Sequence, residues 1–230
     1  MTIGFVLDDS LDKPDGVQQA VLTTGEWMRS QGHKVHYLVG RTERTDIENV
    51  HSLAKTLQVK FNGNTMGTPL PVSSSQLKEF FSSHSCDVLH ICMPYSPIFA
   101  AKVIKLAPKQ SKIVGTFHIL PYTKFSSVAT KQLARFLRSS LKRFDAFASV
   151  SEPAAKFAKA SFGIESIVIP NPVTTANFLH ARGSTEKSSV RKIVFLGRLE
   201  ERKGVIELVK AFKSLLENDP KQVQKTKLII

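Results

Sequence analysis

Apolar and polar positions along this chain alternate between two periods. "IGFVLDD" is an apolar run that ends in two carboxylates, and the turn "DKPDG" follows it. In "VQQAVLTTGEWMRSQG", Val17, Val21, Thr24 and Met28 recur at helical spacing with Trp27 beside them, and Gly32 is placed to end the helix. "HKVHYLVG" then reads as a second strand, which makes a βαβ unit. The pattern repeats: "CDVLHICM" is a buried strand, "SPIFAAKVIKLA" a helix, and "SKIVGTFHI" a strand. After these come a helix rich in lysine and arginine, the strand "DAFASVS", the short helix "EPAAKFAKASFG" and the strand "ESIVIP". Strands that are apolar throughout and separated by helices predict an α/β protein with a doubly wound, Rossmann-like parallel sheet covered on both faces.

Two stretches break the rhythm. Residues 40–80, with "FNGNTMGTPLPVSSS", are full of turn formers and read as a loop region at the ligand end of the sheet. From Pro172 to Val190 the chain is polar without a sustained period, and a domain boundary is expected there. The organisation expected is a first domain over 1–172, a linker over 173–190, and the start of a second Rossmann-like domain over 191–230. About forty residues of βαβ do not make a sheet covered on both faces, so Ile230 is not expected to be a natural end of the fold. That unit is expected either to self-associate through its uncovered strands or to be poorly ordered, and the 230-residue chain alone to be inactive.

Composition narrows the class. With 42% hydrophobic and 22% charged residues the chain is globular. It contains no apolar run near the roughly eighteen residues of a membrane span and no leader-like N-terminus, so the expected location is cytoplasmic. Cys86 and Cys92 are too few for a metal cluster and are not spaced as a redox pair, and are read as reduced core thiols. The 32 Lys+Arg against 19 Asp+Glu leave a net charge of +13, which favours an anionic partner: nucleic acid, a membrane surface or a phosphorylated substrate.

In an open parallel sheet, ligands bind at the carboxyl ends of the strands. At the first such end, Gly16 opens a helix whose leading amides suit a phosphate, although an ordinary βα turn looks the same. His118 ends "KIVGTFH", where an imidazole can hydrogen-bond a hydroxyl or stabilise developing charge. In "GRLEERKG", Arg198 and Lys203 are cations at a strand end, suited to a diphosphate or simply solvated. The basic helix carries an apolar stripe of Leu133, Phe136, Leu137 and Leu141. Its cations include Arg135, Arg138 and Lys142, which serve either as a solvated face or as contacts to anionic lipid.

The motifs "DKPDGVQ", "DVLHICMP", "GTFH", "ASVSEPAAKFA", "IVIPNPV" and "VFLGRLEERKG", in this order, resemble the retaining GT-B glycosyltransferases of family four, and within it the phosphatidylinositol mannosyltransferase branch. The resemblance implies a nucleotide-sugar donor, with GDP-mannose favoured over UDP-sugars, a lipid acceptor, no metal, and a peripheral position at the inner face of the membrane. It places Gly16, Arg198 and Lys203 by the donor diphosphate, with Arg198 and Lys203 stabilising the leaving group. His118 would sit by the transferred sugar, and Gln18, Asn62 and Lys124 on the acceptor side. The family's glutamate pair would lie beyond Ile230. Departures from the pattern are Asp15 for a glycine, Asp9 for an aromatic residue, Cys92 for a histidine and Pro172 for a glycine. Open alternatives are a family-four enzyme with another lipid or a soluble acceptor, and a non-catalytic basic module for RNA or other polyanions. The absence of an RNA motif speaks against the latter, and no nucleic-acid partner is expected.

Overall fold

The computed structural model describes residues 1–54, 56–61, 64–69, 72–118, 127–175, 189–197, 199 and 201–230. Two compact units are present, Met1–Thr174 and Thr175–Ile230. The first is built on strands β1 (Thr2–Leu7), β2 (Lys34–Val39), β3 (Val50–Ser52), β6 (Val88–Ile91), β7 (Lys112–Phe117), β8 (Ala146–Ser149) and β9 (Ile167–Val168). They form one sheet in the order β3-β2-β1-β6-β7-β8-β9, with every neighbouring pair parallel. Helices α1 (Gly16–Ser30), α2 (Ser74–Ser83), α3 (Phe99–Leu106), α4 (Ser127–Leu141) and α5 (Glu152–Phe162) connect them.

Strand alternation sorts the core onto two faces. Ile3, Phe5 and Leu7 of β1 and Val35, Tyr37 and Val39 of β2 pack with Val21 of α1 on one face. Val6 and Leu38 turn to the other, against Leu77 and Phe80 of α2 and Phe99 and Val103 of α3. A methyl group at Gly25 would lie 2.2 Å from Tyr37 Oη, so the glycine is what lets α1 lie this close to β2. The α5 helix starts at Ser151, whose hydroxyl accepts from the Ala154 amide, and stops at Gly163 in the left-handed conformation.

Residues 40–80 differ from the loop expected of them. They contain the edge strand β3, an antiparallel hairpin of β4 (Thr56–Phe61) and β5 (Asn64–Pro69), and α2. The serines read as turn formers are a helix start: Ser73 is the N-cap and accepts from the Ser75 amide, and Leu77 and Phe80, three residues apart, bury one face.

The second unit has β10 (Arg191–Val194) parallel to β11 (Thr226–Ile229), joined through a 3₁₀ turn at Glu201–Lys203, helix α6 (Val205–Asn218) and the short α7 (Pro220–Val223). No described helix in either unit is long and apolar enough to cross a membrane.

Candidate active site

The chain lays down β1, β2 and β3 in one direction, then returns to place β6 on the other side of β1. Such a reversal opens a crevice between the loops that follow the two central strands, here β1 and β6. Asp8 and Asp9 leave β1, and residues 92–96 leave β6. The two loops are joined by the Ser96 hydroxyl, which donates to Asp8 Oδ2. Asp8 is buried, and its Oδ1 has no hydrogen-bond partner. Burial drives its pKa up to about 7, with Asp9 adding to the rise and hydrogen bonds from Ser96 and the Ala100 amide offsetting part of it. The crevice therefore has at its floor a carboxyl group that changes charge near neutral pH.

Helix α1 begins at this crevice. Its first turn has no acidic residue, and the N-cap residue Asp15 does not cap it with its side chain. A Cβ at Gly16 would meet nothing within 4 Å, so the backbone there is open to a close approach. One turn in, Gln18, expected on the acceptor side, is buried and points Nε2 at Asp9 Oδ2, 3.4 Å away. Asp12 ties this loop to the one after β2: its Oδ1 accepts from the Thr42 hydroxyl at 2.6 Å and the Glu43 amide at 2.8 Å. Burial would raise the Asp12 carboxyl, but these bonds outweigh it and hold the group below the ordinary carboxylate range.

His118 directly follows β7, one strand beyond β6 and hence about 10 Å across the sheet from the end of β1. Both of its ring nitrogens are out of contact with water and without a hydrogen-bond partner among the described residues. Burial lowers its pKa to about 4; the Asn171 side chain pulls the other way but lies outside normal hydrogen-bond geometry. Its neighbour on the sheet, His90, places Nε2 2.7 Å from Thr116 Oγ1 and is likewise held near 4 by burial and then by His118. Two imidazoles held neutral by burial thus lie near one another, His90 paired with Thr116 and His118 without a partner among the described residues. A buried nitrogen left unpaired is costly, and a ligand hydroxyl is the kind of group that would pair it.

Asn62, Lys124 and Arg198 lie outside the described residues. Lys203 belongs to the second unit, where it is exposed at the end of the 3₁₀ turn that precedes α6. Arg135, Arg138 and Lys142 are exposed on and just after α4, with Leu137 buried between them. Phe136 departs from the apolar stripe expected of that helix: it is 69% exposed. It borders an open groove of about 900 Å³ between α2, α3 and α4, lined also by Ile98, Lys78, Lys102, Lys105 and Arg143.

Asp8 and Ser96 were not anticipated from the sequence. The available signal was a carboxylate directly behind a fully apolar strand, but the pairing with Ser96 spans 88 positions and depends on which strand lies beside β1.

Residues 14–177 match the model described as Glycosyltransferase Family 4. A phosphatidyl-myo-inositol mannosyltransferase of Mycolicibacterium smegmatis is 29% identical over 226 residues, which cover 96% of this chain and 57% of that protein. One of Propionibacterium freudenreichii subsp. shermanii is 28% identical over 217 residues, or 89% of this chain and 55% of the relative. The chain thus spans a little over half the length of these curated relatives. Among solved structures, a glycosyltransferase from Rickettsia africae matches with a TM-score of 0.61 at 17% identity, over 99% of this chain and 67% of that one. The catalytic domain of Starch Synthase IV from Arabidopsis thaliana, bound to ADP and acarbose, matches with a TM-score of 0.58 at 13% identity, over 100% and 68%. At these identities the structural likeness speaks for the fold, which is that of the GT-B glycosyltransferases. The chain belongs to glycosyltransferase family 4.

Proposed function

We propose that this chain forms the acceptor-binding domain and the first donor-binding segment of a retaining glycosyltransferase, which moves a sugar from a nucleotide-sugar donor to a membrane lipid. Mannose from GDP-mannose and phosphatidylinositol are the favoured donor and acceptor, in keeping with the names of the relatives. The observation that carries the reading is the pair of unpartnered His118 nitrogens beside the switch-point crevice. A sugar hydroxyl placed there would satisfy the ring while the open N-terminus of α1 receives a phosphate.

The chemistry follows from charge. As a nucleoside diphosphate leaves the anomeric carbon, negative charge grows on phosphate and positive charge on the sugar ring. Cations at the first and neutral hydrogen-bonding groups at the second lower the barrier. Arg198 and Lys203 take the first role, and His118, kept neutral by burial, the second. Asp9 and Gln18 offer hydrogen-bonding groups to a polyhydroxyl acceptor. The exposed Phe136, flanked by Arg135 and Arg138, and the cationic groove beside it would seat this domain on an anionic bilayer.

The intact enzyme should transfer mannose from GDP-mannose to phosphatidylinositol in vesicles, with the anomeric configuration of the donor kept in the product as read by NMR. Lys203→Ala and Arg198→Ala should each lower turnover by roughly 10²- to 10³-fold. Transfer to water-soluble acceptors only, or an inverted product, would overturn the reading.

A further inference from the structure

Away from the crevice, three histidines converge at the far edge of the first sheet. His36 lies on β2, on the same face as Leu38, and is a buried polar residue in an otherwise apolar strand. His51 lies on the edge strand β3, paired in register with Leu38. His84 is the C-cap of α2, which covers this face. Their ring centroids make a nearly equilateral triangle: 5.2 Å from His36 to His51, 4.8 Å from His36 to His84, and 5.1 Å from His51 to His84. Phe80, one turn before His84, packs on all three.

We propose that His36, His51 and His84 form a binding site for a divalent transition metal ion, with Zn²⁺ the representative ligand, that fastens the end of α2 to the edge of the sheet. One ring nitrogen from each residue falls within 4.8 Å of the other two. His36 Nδ1 and His51 Nε2 are 3.0 Å apart. Two nitrogens on one tetrahedral zinc at about 2.0 Å are separated by about 3.3 Å, so this pair already stands at ligand spacing. His84 needs to draw in by at most about 1.5 Å, and it is half-exposed at a helix end. It is also oriented as a ligand: Nδ1 lies 3.2 Å from the Phe80 carbonyl oxygen, and donation there leaves the lone pair of Nε2 free.

With His36 Nδ1 on the metal, its buried Nε2 carries the ring proton. With three protein ligands and partial exposure of two of them, water would occupy the fourth position. The site is remote from His118 in the sheet order, and no step of sugar transfer is assigned to it.

The test uses the tag-free 230-residue chain, dialysed against chelator and then titrated with Zn²⁺, with Mg²⁺ as control. One equivalent of Zn²⁺ should bind at micromolar concentration or below and raise the melting temperature, while Mg²⁺ does neither. Co²⁺ at the same site should give the intense visible bands of tetrahedral coordination. His51→Gln and His84→Gln, at half-exposed positions, should each weaken Zn²⁺ binding at least tenfold and abolish the Co²⁺ bands, with far-UV circular dichroism unchanged. No uptake at 100-fold excess Zn²⁺, or uptake that the double variant leaves intact, would overturn the proposal.

Discussion

The two units begin from the same sequence pattern and end in different states. In Met1–Thr174 the apolar strands lie between helices on both faces, and Val6, Leu38, Leu77, Leu89 and Ile91 lose all contact with water. Among the described residues of Thr175–Ile230 the same strand, helix, strand order gives two paired strands and one long helix, and α6 buries none of its residues. Leu196 is 97% exposed, and Val194, Leu199, Ile206 and Val209 are exposed as well. A hydrophobic period is thus enough to specify a helix or a strand, whereas stability comes from the layers stacked on it. Burying a leucine or isoleucine side chain stabilises by roughly 1.5–3 kcal/mol, and that gain is available only where both faces are covered.

The sharpest way to break this contrast is a matched pair of truncations. Ile91→Ala in the first unit should cost about 2–5 kcal/mol in urea denaturation, because the surrounding core cannot collapse onto the gap. The lone Trp27, on α1, reports that unit selectively. Leu216→Ala on α6 should cost less than about 1 kcal/mol, since the side chain is already in water. Equal costs would mean that the second unit is packed as tightly as the first.

A smaller effect tests the polar floor of the first unit. Asp8 has a folded pKa raised to about 7, so the folded state holds a proton that the unfolded chain releases near its ordinary value of 3.8. Its contribution is fully present below that value and is lost as pH rises through about 7. Asp8→Asn keeps an oxygen for Ser96 and removes the titration. It should flatten the decline of stability between pH 4 and 7 and be on the order of 1–3 kcal/mol more favourable, relative to the wild type, at pH 8 than at pH 5. A pH-stability curve unchanged by the substitution would show that Asp8 is charged throughout.

The smallest effect concerns Phe136, one of the apolar residues that the first unit leaves exposed. Phe136 is ringed by cations, unlike the bare Leu196, and binding to vesicles should rise with anionic lipid and fall with salt. Reversing Arg135, Arg138 and Lys142 should weaken it by about 1 kcal/mol per cation. Equal binding to neutral vesicles would assign Phe136 no such role.

Much of the first sheet was legible because parallel strands buried on both faces read as continuous apolar runs, and β1, β2, β6 and β7 all do. The region 40–80 was not, because a serine run serves equally as a turn and as the cap of α2, and the difference is made by Leu77 and Phe80 finding the sheet. Of the candidate site, Gly16 and His118 could be named because one opens an element and the other directly follows one at the carboxyl end of the sheet, and Gln18 came only from the family resemblance. The Asp8–Ser96 contact and the histidine triangle could not, since His36, His51 and His84 are 15 and 33 residues apart and meet only through the pairing of β2 with β3 under α2. Local sequence carries no trace of which strand becomes a neighbour.

The central claim is that the crevice beside β1 and β6 receives the sugar and that His118 contacts it. The direct measurement is His118→Ala in the intact enzyme, with turnover and melting temperature determined on the same preparation. Because both ring nitrogens are unpartnered in the fold, the melting temperature should stay within about two degrees while turnover falls by roughly 10²- to 10³-fold. A variant that turns over normally, or that loses its fold but keeps its activity per folded molecule, would contradict the claim and make His118 a structural residue.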